Sequence, residues 1–398
     1  MQAQFHSRPI AFLKRWLFPC CFVLWFLQIQ LQSSVLESFL GIPVSPLYKV
    51  AKLAVLALLL VQVLFLQTYS RKQLVAVALL TAVFAVSSWQ AELKGLLLMW
   101  LFMVAARDQN ADELVKAGYL AMLAMTAYIL CAFFLGYAED IPIVRESNGT
   151  LRHSWGYCHP NSLGIMIMQL ATSRLYLHRR NLGLEDLIVT AGAAVFVYAV
   201  PNSQSAVICI LLLLVLTVVC MLRPVLPRKL QNIMMHCMIP AAVFCNLFTV
   251  ISSLAYRSGG WLERINKLLT GRLSSANQIC SVYGISLFGQ PLAPMYTQAE
   301  HNGQSFWMPW LDSSYMNLLL RYGLITYLAY SALYLLGMHR VRKSGNMMLL
   351  GILAVIAAHA VMEPSLYDLW YGFFPIVMFA VLPTREENEI PSQNQTGT

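Results

Sequence analysis

Long apolar runs constrain this chain more strongly than any other feature of its sequence. Residues 205–222, SAVICILLLLVLTVVCML, contain no charged side chain. A helix of roughly 20 apolar residues is what a hydrocarbon core of about 30 Å requires. Of the 398 residues, 58% are hydrophobic and only 11% are charged, so the apolar fraction is well above that of soluble domains. The sequence therefore predicts an all-α polytopic integral membrane protein.

Apolar blocks of this kind recur along the chain and predict about twelve transmembrane helices, within a range of roughly 10–12. The fourth block is short enough to be re-entrant. Together the blocks form one transmembrane domain, residues 1–382, followed by a polar cytoplasmic tail, residues 383–398, which we expect to be disordered. The predicted spans are 16–36, 50–68, 73–90, 94–106, 117–136, 157–177, 185–200, 205–222, 233–255, 316–336, 347–361 and 365–382.

Basic residues between the spans indicate how the chain is oriented. The formal net charge is +9, but Lys and Arg are spread between apolar runs and form no continuous patch, which argues against nucleic-acid binding. Most of the 27 Lys and Arg residues fall on the inner side if both termini are cytoplasmic, as the positive-inside rule requires. This N-in, C-in arrangement makes residues 137–156 and 256–314 the two large outer loops.

The nine cysteines give no sign of a metal site or a disulfide framework. They lie in or beside apolar runs and form no CxxC pair, which is typical of small buried side chains. The sequence also has no DxD pair, P-loop or glycine-rich nucleotide fingerprint, which disfavours a metal-dependent enzyme that uses a nucleotide-sugar donor. We therefore expect no metal and no cofactor.

The second outer loop, residues 256–314, is too aromatic to be a disordered linker. Its arginines suit phosphate oxygens, and its aromatic faces suit the C–H faces of sugar rings, which favours a lipid-linked, phosphorylated saccharide as ligand. An equally acceptable interpretation is that the aromatic residues form an interfacial belt and the basic residues contact lipid headgroups.

The stretch SWGYCHPNSLG, residues 154–164, places polar groups at the N-terminus of a predicted helix, on the outer side of the membrane. Pro160 suits the first turn of a helix, so the helix should start at His159 or just before it. Free backbone N–H groups and the helix dipole favour an anion there, and His159 and Asn161 add side-chain groups. Alternatively, the two side chains cap the helix and bond a neighbouring loop.

Four short motifs, in order, resemble those of a known family. They are RHSWGYCHPNSLG at 152–164, LLTGRLSSANQICSVYGISLFGQPL at 268–292, LDSSYMNLLLRYGLI at 311–325 and HAVMEPSLYDLWYGFF at 359–374. The set resembles the signature of Wzy-type bacterial polysaccharide repeat-unit polymerases of capsule, exopolysaccharide and O-antigen synthesis. Two positions depart from the family pattern: Gln204 stands where an arginine is usual, and Ser313 replaces an Asn.

The resemblance implies a GT-C-like membrane glycosyltransferase in the cytoplasmic (inner) membrane of a bacterium. Such enzymes transfer an oligosaccharide from undecaprenyl pyrophosphate to a sugar hydroxyl of another lipid-linked acceptor, outside the membrane and without a metal. The partners expected for it are the undecaprenyl-pyrophosphate-linked oligosaccharide, the lipid bilayer, a chain-length regulator and a flippase.

Site roles follow from the resemblance and from the chemistry of the residues. Arg272 is the first candidate for pyrophosphate binding because guanidinium groups can stabilise the charge of that leaving group, with Arg152 and Arg257 as helpers. Asp312 and Glu363 are equal candidates for the base that activates the acceptor hydroxyl. Asp312 could instead cap a helix, and Glu363 suggests a buried partner such as Arg321 or His359. The full set of candidates is Asp312, Glu363 and His159 as catalytic residues and Arg272, Arg152, Arg257, Asn161 and His301 as substrate-binding residues, with His301 also a reserve base behind Asp312 and Glu363.

Two other classes of protein remain possible from the sequence. An O-antigen ligase shares the architecture and the outer arginines, although it usually carries a His where Asp312 stands. A flippase for the same lipid-linked unit would share the hydropathy, but mid-span ionisable residues and an inverted repeat, which ion-coupled transporters tend to show, are not evident.

Overall fold

The computed structural model describes residues 2–36, 45–145, 149–301 and 303–384. Parts of the predicted outer loops (146–148 and 302) and nearly all of the predicted tail (385–398) lie outside these residues. The helices are α1 Gln2–Gln32, α2 Ser45–Val61, α3 Arg71–Gln90, α4 Gly95–Ala105, α5 Ala111–Phe134, α6 Pro160–His178, α7 Leu184–Ala199, α8 Gln204–Leu222, α9 Arg228–Leu254, α10 Leu262–Leu268, α11 Arg272–Tyr283, α12 Ser314–Leu320, α13 Leu324–Lys343, α14 Met347–His359 and α15 Phe374–Val377. Two small antiparallel hairpins interrupt them, β1 Ile143–Val144 with β2 Leu151–Arg152 and β3 Gln298–His301 with β4 Gln304–Trp307.

The structure is mostly helical, as predicted, and is consistent with a membrane protein. Within the described residues, five helices are long and apolar enough to cross a bilayer, and two shorter apolar helices, Trp16–Gln32 and Met347–His359, accompany them. Large apolar side chains on these helices face outward, as Phe65 does at 77% exposure. The five candidate spans are Tyr48–Leu66, Arg71–Gln90, Ala111–Phe134, Gln204–Val225 and Arg228–Leu254.

Two predicted spans do not form continuous helices. Residues 316–336 divide into α12 and α13 with a break before Gly323, and residues 365–382 contain only the four-residue α15. Residues 365–382 are apolar because they fill the protein core. Phe373 lies edge-on to Phe22 and Phe26, with ring centroids 5.4 Å apart in both pairs. Irregular backbone inside a membrane protein is tolerated when other protein segments surround it, because protein groups can satisfy its hydrogen bonds.

The break between α12 and α13 is fixed by the chain segment that ends the second motif. Gln290 N donates to Arg321 O at 3.0 Å, and Ile325 N donates to Leu287 O at 3.1 Å. The two backbones approach so closely that only glycine fits at either side. A Cβ at Gly289 would lie 2.6 Å from Arg321 O, and one at Gly323 would lie 2.6 Å from Leu287 O. The Leu-Phe-Gly motif therefore clamps the C-terminal end of α12.

Contacts between helix ends divide the bundle into two sides. The ends near residues 160, 204, 314 and 359 meet on one side. On the opposite side, Asp112 at the start of α5 pairs with Arg179 just after α6 at 2.7 Å. Asn110 and Val381 form an isolated backbone bridge on that side as well. The polar candidate residues thus collect at one end of the molecule.

Candidate functional site

Arg272 forms the centre of the candidate site by pairing with two carboxylates. Its Nη2 lies 3.0 Å from Asp312 Oδ2 and 3.2 Å from Glu363 Oε1. The three side chains come from three of the four motifs, separated by up to 91 positions along the chain. All three are largely withdrawn from solvent, with exposed fractions of 17% for Arg272, 15% for Asp312 and 4% for Glu363. The fold therefore converts scattered motif residues into one buried ionic cluster.

A tight turn before α11 aims Arg272 at this cluster. Gly271 adopts a left-handed conformation with φ +84°, which glycine reaches without steric cost, and Thr270 is left-handed as well. Arg272 Nε donates to Met362 O at 2.8 Å, while Nη1 donates to Leu269 O at 3.3 Å and to the Thr270 hydroxyl. The Gly-Arg pair thus supplies both the turn and the guanidinium that the turn positions.

The segments that carry Asp312 and Glu363 are bound to each other. Ser314 N donates to Ala360 O at 2.9 Å, and Ser314 Oγ donates to Glu363 O at 2.7 Å. Ser313 donates through its hydroxyl to Ala360 O at 3.2 Å. The N-cap of α12 is Ser313, and no side chain caps that helix. The alternative that Asp312 is a helix cap is therefore wrong.

Burial changes the acidity of both carboxyl groups. Burial raises the pKa of Asp312 to about 7; Arg272 opposes this shift and Glu363 adds to it. Burial likewise raises the pKa of Glu363, against the lowering effects of Arg272, Ser205 and Arg152. Ser205 Oγ donates to Glu363 Oε1 at 3.0 Å. A single guanidinium therefore lies between two carboxyl groups whose pKa values burial raises.

Two further arginines border the cluster beside residues 200–203, just before α8. Arg152 Nε donates to Pro201 O at 3.0 Å, and Arg145 Nη2 donates to Asn202 O. Burial and then Arg145 lower the pKa of Arg152, while Glu363 raises it; burial and then Arg272 lower the pKa of Arg145. Three positive charges therefore act on one another across the site. The segment they line ends just before Gln204, the start of α8.

His159 and Asn161 occupy the helix start as the sequence predicted. The helix begins at Pro160 with His159 as its N-cap, and His159 Nδ1 accepts from Asn161 N at 3.0 Å. Asn161 Oδ1 accepts from Arg152 Nη2. Both side chains thus make the capping and loop contacts of the alternative interpretation, and Asn161 also joins the helix start to an arginine of the cluster.

Arg257 and His301 lie apart from these contacts. Arg257 is exposed after α9, and none of the cluster's ion pairs or hydrogen bonds, as far as the described residues show, involves it. His301 ends β3, and its ring lies 4.3 Å from that of Tyr283. The structure therefore brings together Asp312, Glu363, Arg272, Arg152 and Asn161, and leaves Arg257 and His301 outside the ionic cluster.

Sequence reasoning missed Arg145 and Ser205 as site residues and misassigned the partner of Glu363. The Glu363 carboxylate pairs with Arg272 and Ser205, not with Arg321 or His359. His359 is fully buried, and neither of its ring nitrogens has a hydrogen-bond partner within the described part of the chain. The signal for Arg145 was its place in the first predicted outer loop, but only the fold shows that this loop reaches residue 202.

Among the described residues, no group of three or more His, Cys, Asp or Glu side chains is placed to hold a metal ion. No family model, curated protein or solved structure matches this chain.

Proposed function

We propose that this protein is a membrane glycosyltransferase that polymerises undecaprenyl-pyrophosphate-linked oligosaccharide repeat units on the outer face of a bacterial cytoplasmic membrane. The observation that carries the proposal is that Arg272 pairs with the carboxylates of Asp312 and Glu363, and that Arg152 and Arg145 border this ionic cluster. Arginine is suited to bidentate binding of phosphate oxygens, and its hydrogen bonds strengthen in a partly dry site. A lipid substrate also suits a site at the ends of membrane helices.

The chemistry requires one bond to form and one to break. The acceptor hydroxyl oxygen attacks the anomeric carbon of the donor sugar, and the bond from that carbon to the pyrophosphate oxygen breaks. The hydroxyl proton passes to a carboxylate, and undecaprenyl pyrophosphate leaves with the electron pair. Arginines that face the leaving group stabilise the charge that develops on it, which is where electrostatic catalysis has its largest effect.

Asp312 is the carboxylate we assign as the base. Its side chain is 15% exposed against 4% for Glu363, so an acceptor hydroxyl reaches it more readily. A base is most effective when its pKa lies near the working pH, and burial brings Asp312 close to that value. Glu363, bonded to Ser205 and Arg272, then orients the guanidinium. Asn161 keeps Arg152 directed toward the site.

The test is the length distribution of lipid-linked and surface glycan in a strain that lacks the gene. The strain carries the wild-type chain, Arg272→Ala, Arg272→Lys or the control Arg264→Ala, an exposed arginine of the same loop. A hydrogen bond to a charged group contributes about 1.5–3 kcal/mol, so loss of the guanidinium should lower polymerisation by roughly 10- to 150-fold for each bond. Immunoblots of membrane fractions check that each variant reaches the membrane.

Each outcome has a distinct meaning. Single repeat units in the deletion strain, with a ladder restored by the wild type and by Arg264→Ala but not by Arg272→Ala, support the proposal. Long polymer retained on the lipid carrier in the deletion strain would indicate a ligase. Repeat units held on the cytoplasmic leaflet would indicate a flippase, and the site assignments would then be abandoned.

A further inference from the structure

Asp140, which lies outside the cluster, joins the two ends of the first predicted outer loop through hydrogen bonds to its carboxylate. Asp140 Oδ1 accepts from Ser154 N at 2.7 Å, from Trp155 N at 3.1 Å and from Ser154 Oγ at 3.2 Å. Asp140 Oδ2 is hydrogen-bonded to His153 Nδ1 at 2.6 Å. Ser154 Oγ in turn accepts from Ile141 N at 2.8 Å. These contacts close the chain between residues 140 and 155 into a loop.

The closed loop carries two of the three arginines of the site. Arg145 follows β1, and Arg152 lies in β2, which pairs with β1. Arg145 N donates to Thr150 O at 2.9 Å, which extends the hairpin beyond its strands, and His153 N donates to Val200 O at 3.0 Å, which joins the hairpin to the segment before α8. Arg152 donates to Pro201 O and Arg145 donates to Asn202 O. The loop and the segment just before α8 therefore support each other.

The Asp140 contacts favour the ionised carboxylate. Burial acts to raise the pKa of Asp140, but hydrogen bonds from His153, Ser154 and Trp155 outweigh it and hold the pKa below its usual value. A carboxylate that accepts several N–H bonds is a rigid attachment point. Its neighbour Glu139 is exposed.

We infer that Asp140 is a positioning residue, which holds the loop 140–155 so that Arg145 and Arg152 face the pyrophosphate of the donor. The inference rests on the proposed function, because it assigns the arginines that ligand. Asp140 acts only through the two arginines and does not contact substrate. A site needs such support because a displacement of about 1 Å in a binding group is enough to lose much of its effect.

The test measures binding of inorganic pyrophosphate to the purified full-length protein in detergent. Asp140→Asn should weaken binding by roughly tenfold, the effect of misplacing one hydrogen bond to a charged group. The neighbouring substitution Glu139→Gln is the matched control and should leave binding unchanged. Ser154→Ala keeps the Asp140 carboxylate but removes the bond from Ile141 N and the hydroxyl bond to Asp140, so it should give a smaller loss; it is the second variant if Asp140→Asn does not fold.

A double-mutant cycle separates positioning from general damage to the fold. In a chain that already carries Arg145→Ala and Arg152→Ala, Asp140→Asn should weaken pyrophosphate binding no further, since the groups it positions are gone. Equal losses in both backgrounds would overturn the inference, as would wild-type affinity in Asp140→Asn. If the wild-type protein itself does not bind pyrophosphate, the proposed function fails, which is a different result from failure of the positioning role.

Discussion

Removal of the proposed base while its shape is kept is the sharpest test of the mechanism. Asp312→Asn replaces a carboxylate 3.0 Å from Arg272 by an amide that cannot take up the acceptor proton. Positioned general bases contribute about 10²- to 10⁴-fold to rate, so kcat should fall by that factor. Because the amide can still lie against the guanidinium, binding of pyrophosphate should change little. The matched substitution Glu363→Gln should affect binding more strongly, since Glu363 orients Arg272.

The pH dependence of the reaction provides an independent check on the same residue. Burial raises the pKa of Asp312 to about 7, and the base works only when ionised. At pH 5, two units lower, about 1% of the carboxyls would be ionised, so kcat/KM should fall about tenfold for each pH unit below 7 and level off above it. The assay is polymer formation from purified lipid-linked repeat units in proteoliposomes. A flat profile from pH 5 to 8, or near wild-type kcat in Asp312→Asn, would refute the role of Asp312.

Stability and chain geometry give two further tests. Because the pKa of Asp312 is raised from 3.8 to about 7 in the folded state, the stability it contributes is fully present below the lower value and is lost as pH rises to about 7; the melting temperature in detergent should therefore fall from about pH 5 to pH 7 and level off above that, and the fall should be smaller in Asp312→Asn. Gly323→Ala should destabilise the protein by about 1–3 kcal/mol or more, because a Cβ would meet Leu287 O at 2.6 Å. Gly284→Ala, which shares a positive φ but has no atom within 4 Å of its Cβ position, is the control, and equal losses in the two variants would contradict the clamp between Gly289 and Gly323.

Local patterns were enough to predict the parts of the fold that depend on neighbouring residues. The helix start at His159 and Pro160 was predicted correctly because the missing N–H of proline and the capping side chain act within one turn. Helices such as Gln204–Leu222 were predicted from hydropathy alone. Residues 365–382 were mistaken for a span because a segment buried in protein is as apolar as one buried in lipid.

The pairing of the site residues could not be read from the sequence, since it depends on which loops meet. Glu363 was expected to pair with His359 in its own motif or with Arg321 just after α12, yet its partner Arg272 lies 91 positions away. Arg145 had no motif to mark it and gains its place from the loop that Asp140 closes.

The sequence by itself determined that this chain forms apolar helices of the membrane type, and it predicted which polar residues have the chemistry to bind a phosphorylated ligand. Hydropathy and helix capping are properties of contiguous residues, so they survive without knowledge of the fold. The tertiary structure alone decided that Arg272 lies between Asp312 and Glu363. It also decided that Arg145 and Arg152 border this cluster, and that Arg257 and His301 lie outside it. Burial of that cluster, which sets the acidity of Asp312, exists only once distant helix ends are packed together.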